Sequence, residues 1–270
     1  MSEFEAPVAE DPETVVTLRR EGEHVAIVTL NRPRSRNAVS TALTRGLAAR
    51  VRAVEDDPSI RVAILTGAGT QAFCAGADLK EMSAGATYAQ RSTPDGGFAG
   101  FVFAPRRKLW IAAVNGAAVA GGFELMLACD MAVASRAAIF GLPEVKRGLA
   151  ATAGGIYRLP RRVPRGIALE MIATGEPIDA ARAQALGLVN HVVDPDQVLE
   201  TAVRIARQVG ANAPLAVALS LELARRADEL DDVTLRGLAR EVTERIHASE
   251  DAKEGPLAFA ERRQPVWRGR

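Results

Sequence analysis

The stretch Ile111–Ala134, IAAVNGAAVAGGFELMLACDMAVA, holds a carboxylate where a carboxylate is costly. Glu124 lies in the middle of an almost wholly apolar run. If Gly121–Cys129 is helical, its neighbours three and four residues away are Gly121, Ala120, Leu127 and Ala128, none of them polar. An uncompensated carboxylate there is strongly unfavourable, so it must be paired, protonated or working. Gly121 and Gly122 stand where that helix would begin, and the first amides of a helix have no partner within it. A buried acid beside free amides can move a proton and hold a developing oxyanion. A plainer reading stays open: packing glycines and a Glu124 that reaches the surface along its own stem. The run could span a bilayer by its length of 24 residues. However, Asn115, Glu124 and Asp130 interrupt it, and its glycines favour a strand–turn–helix unit.

A second stretch, Phe73–Glu81 (FCAGADLKE), places Asp78 three residues before Glu81. That is capping-box spacing and predicts a helix starting at 79. The amide of Ala77 then lies in the turn ahead of the helix, where a backbone N–H can bind an anion. An ordinary helix start is the alternative.

Other elements must position these groups. Val15–Leu18 and His24–Leu30 read as a hairpin around Glu21-Gly22. Leu43, Leu47, Val51 and Val54 give Thr41–Asp56 a helical period, which Asp57-Pro58 ends. Val62–Thr66, Leu109–Asn115, Met131–Ala134 and Val189–Val193 read as strands. Residues 84–100, rich in Gly, Ser, Thr and Ala, read as a flexible loop or frayed helix. A ββα unit is expected to recur at 24–56, 62–85 and 111–135. Asp196–Val209, Pro214–Ala227 and Asp231–Ala248 show helical spacing. The division is a mobile start at 1–12, an α/β core at 13–194 and a helical region at 195–270.

Composition excludes several classes. A net charge of +1 over 270 residues gives no basic field for nucleic acid or a membrane surface. Cys74 and Cys129 are too few for a disulfide framework. The acidic start MSEFEAPVAEDPE lacks the apolar core of a secretory signal, so a cytoplasmic protein is expected. His24, His191 and His247 have no metal-ligand spacing, and no Walker-type loop occurs.

Together the motifs resemble the crotonase (enoyl-CoA hydratase/isomerase) superfamily. They are Asn31-Arg32-Pro33 with Asn37-Ala38, CAGADLKE at 74–81, IAAVNGAAVAGGFELMLACD at 111–130 and FGLPE at 140–144. Ala153-Gly154-Gly155 with Arg158-Leu159, TGE at 174–176, ALGLV at 185–189 and the tail motifs from Ser249 to Arg263 follow in order. The resemblance implies an α/β spiral of repeated ββα units with a helical C-terminal region, assembled as a homotrimer or a hexamer (a dimer of trimers). The implied substrate is an acyl-CoA thioester. No metal or other cofactor is implied, coenzyme A being part of the substrate, and neither is a nucleic-acid or membrane partner.

The resemblance also implies site residues. The amides of Ala77 and Gly121 form an oxyanion hole for the thioester oxygen. Such donors act mainly in the transition state, each worth about 3–4 kcal/mol. Glu124 deprotonates the water that attacks the β-carbon, and Glu144 protonates the α-carbon. Taken alone, Glu144 could equally be a surface partner of Lys146 or Arg147. Ala75, Gly76, Asp78, Leu79 and Lys80 would line the CoA, and Gly122 would also bind substrate. Phe259 and Arg262 match a C-terminal helix that reaches a neighbour's CoA site. The expected reaction is reversible syn addition of water to a trans-2-enoyl-CoA, giving a 3-hydroxyacyl-CoA. The alternatives are a double-bond isomerase and an idle relative that binds RNA or protein. Leu109-Trp110 stand where many relatives have Lys-Pro, and Ala150–Ile156 lacks the usual Pro and Thr-Gln. Those departures and the 84–100 segment leave the acyl group open.

Overall fold

The computed structural model describes residues 10–270. Residues 1–9, most of the expected mobile start, lie outside the described residues. Pro12–Val15 is a helical turn (α1), and Glu10 accepts from the Arg32 guanidinium at 2.7 Å.

Strands β1 (Val16–Glu21) and β2 (Val25–Leu30) form the expected antiparallel hairpin. Helix α2 (Thr41–Asp56) starts where the Ser40 hydroxyl accepts the Leu43 amide at 3.1 Å. Next come β3 (Val62–Gly67), β4 (Ala72–Cys74), α3 (Leu79–Ser83) and a ribbon of β5 (Ser92–Thr93) with β6 (Gly97–Phe98). Then β7 (Leu109–Val114), β8 (Ala117–Val119) and α4 (Gly121–Ala128) precede β9 (Met131–Ser135) and β10 (Ile139–Gly141). A 3-10 turn, Pro143–Arg147, leads to α5 (Gly155–Arg162), α6 (Arg165–Thr174), β11 (Ile178–Asp179), α7 (Ala180–Ala185) and β12 (His191–Val193). The chain ends in α8 (Val198–Gly210), α9 (Pro214–Arg225), α10 (Asp232–His247) and α11 (Asp251–Ala260). No helix among the described residues is long and apolar enough to cross a membrane.

The strands form a six-stranded sheet, β1-β2-β3-β7-β9-β12, parallel from β2 onward, and a four-stranded sheet, β11-β10-β8-β4. From β3 to the Pro143–Arg147 turn, each pass adds a strand to the first sheet, then one to the second, then a helical turn, whereas the expected unit at 24–56 holds only β2 and α2, because β1 and β2 both join the first sheet. This is the ββα spiral. It runs through 62–83 and 109–128, and a further unit at 131–147 ends in the 3-10 turn. Val62–Leu65 of β3 and all of β7 read as unbroken apolar runs because both faces of the large sheet are covered. Leu65, Ala112 and Val114 face the core with α2, while Ile64, Ile111 and Val133 meet Val198, Ala202 and Ala206 of α8.

Two local expectations change. Residues 84–100 are neither a loose loop nor a frayed helix but carry the β5–β6 ribbon, anchored by buried Phe98. The small residues of that segment mask this anchor in the sequence. The capping box is half formed: Asp78 accepts the Lys80 and Glu81 amides at 3.0 and 3.4 Å. Glu81 instead accepts the Thr41 amide at 2.9 Å, capping α2. Trp267 packs against Gly255 and donates to the Ala211 carbonyl at 2.8 Å, within its own chain.

Candidate active site

β4, β8 and β10 lie side by side and parallel, so their C-terminal ends open at one edge. Each strand releases a turn there, and such ends are where open parallel sheets place ligands. The first turn carries Gly76-Ala77, the second Ala120-Gly121 and the third Glu144.

The first two turns touch. A Cβ on Gly76 would stand 2.8 Å from the Ala120 Cβ and 3.0 Å from the Gly121 amide nitrogen. Gly76 has φ +86, so both its conformation and its neighbours call for glycine. A Cβ on Gly122 would lie 1.9 Å from the Cys74 carbonyl oxygen, so only glycine lets α4 start this close to β4. The amides of Ala77 and Gly121 have no hydrogen-bond acceptor among the described residues.

Ala120 holds φ 52 and ψ −133, a sparsely populated conformation for a residue with a Cβ. Its amide donates to the Gly141 carbonyl at 2.9 Å, and its carbonyl accepts from Phe123 and Glu124. These bonds fix the peptide that presents the Gly121 amide. The first turn is braced as firmly. Arg32 Nη1 donates to Asp78 Oδ2 at 2.9 Å and to the Ala38 carbonyl. The Asn37 amide group donates to the carbonyls of Ala68 and Ala72 at 3.0 and 2.8 Å.

Glu124 is 4% exposed, and its Oε1 accepts the Gly155 amide at 2.9 Å. Burial pushes its carboxyl up to about 7. The charge of Glu144 pushes the same way, while the amides of Gly155 and Ala153 and the Arg158 guanidinium oppose it. Glu144 is half-buried, and its Oε2 is enclosed with no hydrogen-bond partner. Burial raises this carboxyl too, with its own backbone amide and Arg147 opposing. Lys146 pairs with Glu176 at 2.5 Å and makes no ion pair with Glu144 among the described residues, contrary to the surface-pair reading. Two acids with raised affinity for protons can hold one proton between them at neutral pH.

The remaining expected residues fall into two groups. Ala75, Gly76, Asp78, Leu79 and Lys80 follow β4 around the first turn, with Leu79 and Lys80 exposed. The Asp78 side chain is committed to Arg32 and to the α3 amides. Phe259, 87% exposed, lies in the last turn of α11, and Arg262 follows the helix end with φ 54. Neither makes a hydrogen bond or ion pair with the other site residues among the described residues. Cys74 and Cys129 are buried, and burial pushes both thiols up to about 12. Among the described residues no three His, Cys, Asp or Glu side chains gather as a metal-binding group.

Sequence reasoning missed the Gly155 amide and Arg158. The Gly154-Gly155 pair was the only hint of the first. Arg158 donates to the Val102 carbonyl at 2.6 Å, and its guanidinium lies 5.4 Å from the centroid of the Phe103 ring.

Residues 20–270 match the sequence pattern of the enoyl-CoA hydratase/isomerase family. Carnitinyl-CoA dehydratase of Proteus mirabilis is 42% identical over 253 residues, covering 90% of this chain and 94% of that protein. The structure of enoyl-CoA hydratase from Mycobacterium tuberculosis superposes with a TM-score of 0.90 at 42% identity, covering 96% of this chain and all of the other. Carnitinyl-CoA hydratase from Mycobacterium avium gives 0.76 at 45% identity, covering 96% of this chain and 100% of that chain.

Proposed function

The chain belongs to the enoyl-CoA hydratase/isomerase family, and on that premise we propose that it is an enoyl-CoA hydratase, a hydro-lyase that adds water to a trans-2-enoyl-CoA. The observation that carries this reading is the pair of enclosed acids, Glu124 held by the Gly155 amide and Glu144 with a partnerless Oε2, beside two free amides. Water adds in syn fashion: its oxygen bonds to the β-carbon as Glu124 takes a proton, and Glu144 gives a proton to the α-carbon. The carbon–carbon double bond is consumed, and the pair holds one proton before and after. As the β-carbon is attacked, negative charge builds on the thioester oxygen. The amides of Ala77 and Gly121 stabilise it. Their orientation is set before substrate arrives, so no reorganisation is needed during the reaction.

This chemistry needs no metal or redox cofactor. Ala75, Gly76, Asp78, Leu79 and Lys80 line the CoA, and Gly122, at the start of α4, also binds substrate. An isomerase can run on one carboxylate, so two acids favour the hydratase. Loss of enoyl absorbance when purified protein meets crotonyl-CoA tests the reading, and no loss with this or longer enoyl thioesters rejects it in favour of a binder.

The same reading makes residues 13–194 the catalytic core of a cytoplasmic enzyme and 195–270 its trimerisation region. In the single chain α10 buries no residue and Phe259 stays exposed, as expected of helices that pack on a neighbour. There Phe259 and Arg262 would reach an adjoining CoA site. Light scattering should find a trimer or hexamer; a monomer at micromolar concentration contradicts it.

A further inference from the structure

Arg158 lies in the first turn of α5, and its side chain folds back over the start of that helix. A Cβ on Gly154 would fall 2.6 Å from Arg158 Nη1, 3.1 Å from Cζ and 3.2 Å from Cδ, so the guanidinium rests against the glycine. Gly154 has φ +120, and its carbonyl accepts the Arg158 amide at 2.8 Å. The backbone conformation and the room taken by the arginine both call for glycine. The next residue, Gly155, gives the amide that holds Glu124 Oε1 at 2.9 Å. Arg158 therefore covers the turn that anchors the acid.

The other arm of the fork crosses to the segment after β6. Nη2 donates to the Val102 carbonyl at 2.6 Å, and the Phe103 ring centroid lies 5.4 Å from the guanidinium. The Val102 amide donates to the Phe98 carbonyl at 3.3 Å. The Phe98 ring fills the space beside Gly121, where a Cβ would fall 2.4 Å from it. One side chain thus ties the turn that anchors Glu124 to the segment that backs the oxyanion turn.

The charge of Arg158 meets no carboxylate in an ion pair among the described residues, and Nη1 is enclosed without a partner. A guanidinium stays ionised at every working pH. On one side it borders a groove with three acids, of which Asp130 and Glu229 pair with Arg225 and Arg161 and Asp228 is exposed. Arg106 and Arg162 act on it with like charge, and Tyr157 and Cys129 are its other titratable neighbours. Buried Glu124 is left as the carboxylate its field reaches, with little water between to screen it. Around Glu124, the charge of Glu144 favours the protonated acid and that of Arg158 the carboxylate.

We propose that Arg158 is a positioning residue for the reaction: it clamps the Gly154-Gly155 turn and keeps Glu124 ionised, ready to take the proton of water. This rests on Glu124 being the base, and a measurement without turnover separates the two. Infrared spectroscopy follows, against pH, the protonated-carboxyl band that Glu124→Gln removes. Losing a cation favours the protonated acid, so Arg158→Met and Arg158→Gln should both raise the midpoint. Close opposite charge moves a carboxyl by about 1–3 units, and from beyond ion-pair distance the expected rise is about half a unit or more. Arg158→Lys keeps the charge and should hold the midpoint at the wild-type value. With crotonyl-CoA, both limbs of the pH profile should move upward in the neutral variants, and kcat should fall with KM nearly unchanged. Where Arg158→Met does not fold, Arg158→Gln, which can still donate to Val102, decides. An unmoved midpoint in a folded neutral variant, or an equal rise in Arg158→Lys, marks a brace alone and overturns the proposal. A raised midpoint in a protein that never hydrates crotonyl-CoA instead overturns the reaction assigned above.

Discussion

Gly76 and Gly121 meet backbone to backbone, with 3.0 Å between the position a Gly76 Cβ would take and the Gly121 amide nitrogen. Gly76→Ala therefore forces a methyl group into the turn that presents the amide, at φ +86. The expected result is a fall in kcat of about a hundredfold or more, the scale for losing one oxyanion donor. Thioester binding should change far less. Stopped turnover with unaltered circular dichroism supports the assignment, whereas near-normal kcat removes the Ala77–Gly121 hole from the mechanism.

Glu124→Gln and Glu144→Gln keep the size of each side chain and remove its acid–base chemistry. Each should lower hydration by about a hundredfold to ten-thousandfold, the range for general acid–base catalysis. Dissociation constants for a saturated acyl-CoA should stay within a few-fold. Survival of double-bond isomerisation in either variant would turn the reading toward an isomerase.

Much of this candidate site was legible in the sequence because backbone turns, more than side chains, shape it. Gly76 and Gly121-Gly122 reveal where backbone must pass close, and an acid in an apolar helix reveals its own cost. The helices Thr41–Asp56 and Pro214–Arg225 showed through their period and their stop or start residues. What stayed hidden depends on tertiary neighbours. β8 and β10 are three-residue strands, too short to show a period. Nothing local says that Glu81 caps α2, or that the Gly155 amide reaches Glu124. The ribbon at 92–98 reads as loop because its small residues conceal Phe98 as the anchor.

The acid pair should give hydration a bell-shaped dependence on pH. The working form holds one proton, on Glu144, with Glu124 ionised. Burial raises both carboxyls, Glu124 to about 7, so both limbs lie above the ordinary carboxylate range, and kcat/KM falls where the pair loses its last proton. Below, a second proton binds, neutralises Glu124 and gives the rising limb. These are properties of the pair rather than of either acid. Initial rates in buffers from pH 4 to 10 measure both limbs. A flat profile between 5 and 9 contradicts a shared proton.

The buried Glu124 should also cost stability, with a sign that pH exposes. Below pH 4.5, its ordinary value, folded and unfolded chains both carry the proton. Between 4.5 and about 7 the unfolded chain ionises first, so the folded state binds more protons and loses stability as pH rises. Over that interval the penalty reaches about 3 kcal/mol, at 1.36 kcal/mol per unit. Glu124→Gln removes it while leaving an oxygen for the Gly155 amide. The variant should match the wild type at pH 4 and exceed it at pH 8 by up to about 3 kcal/mol. Urea midpoints at one protein concentration measure this, since assembly makes stability concentration-dependent. A variant less stable than the wild type at pH 8 would show that the carboxylate is well accommodated. Glu124 would then be a satisfied structural acid, and its strain could not be attributed to function.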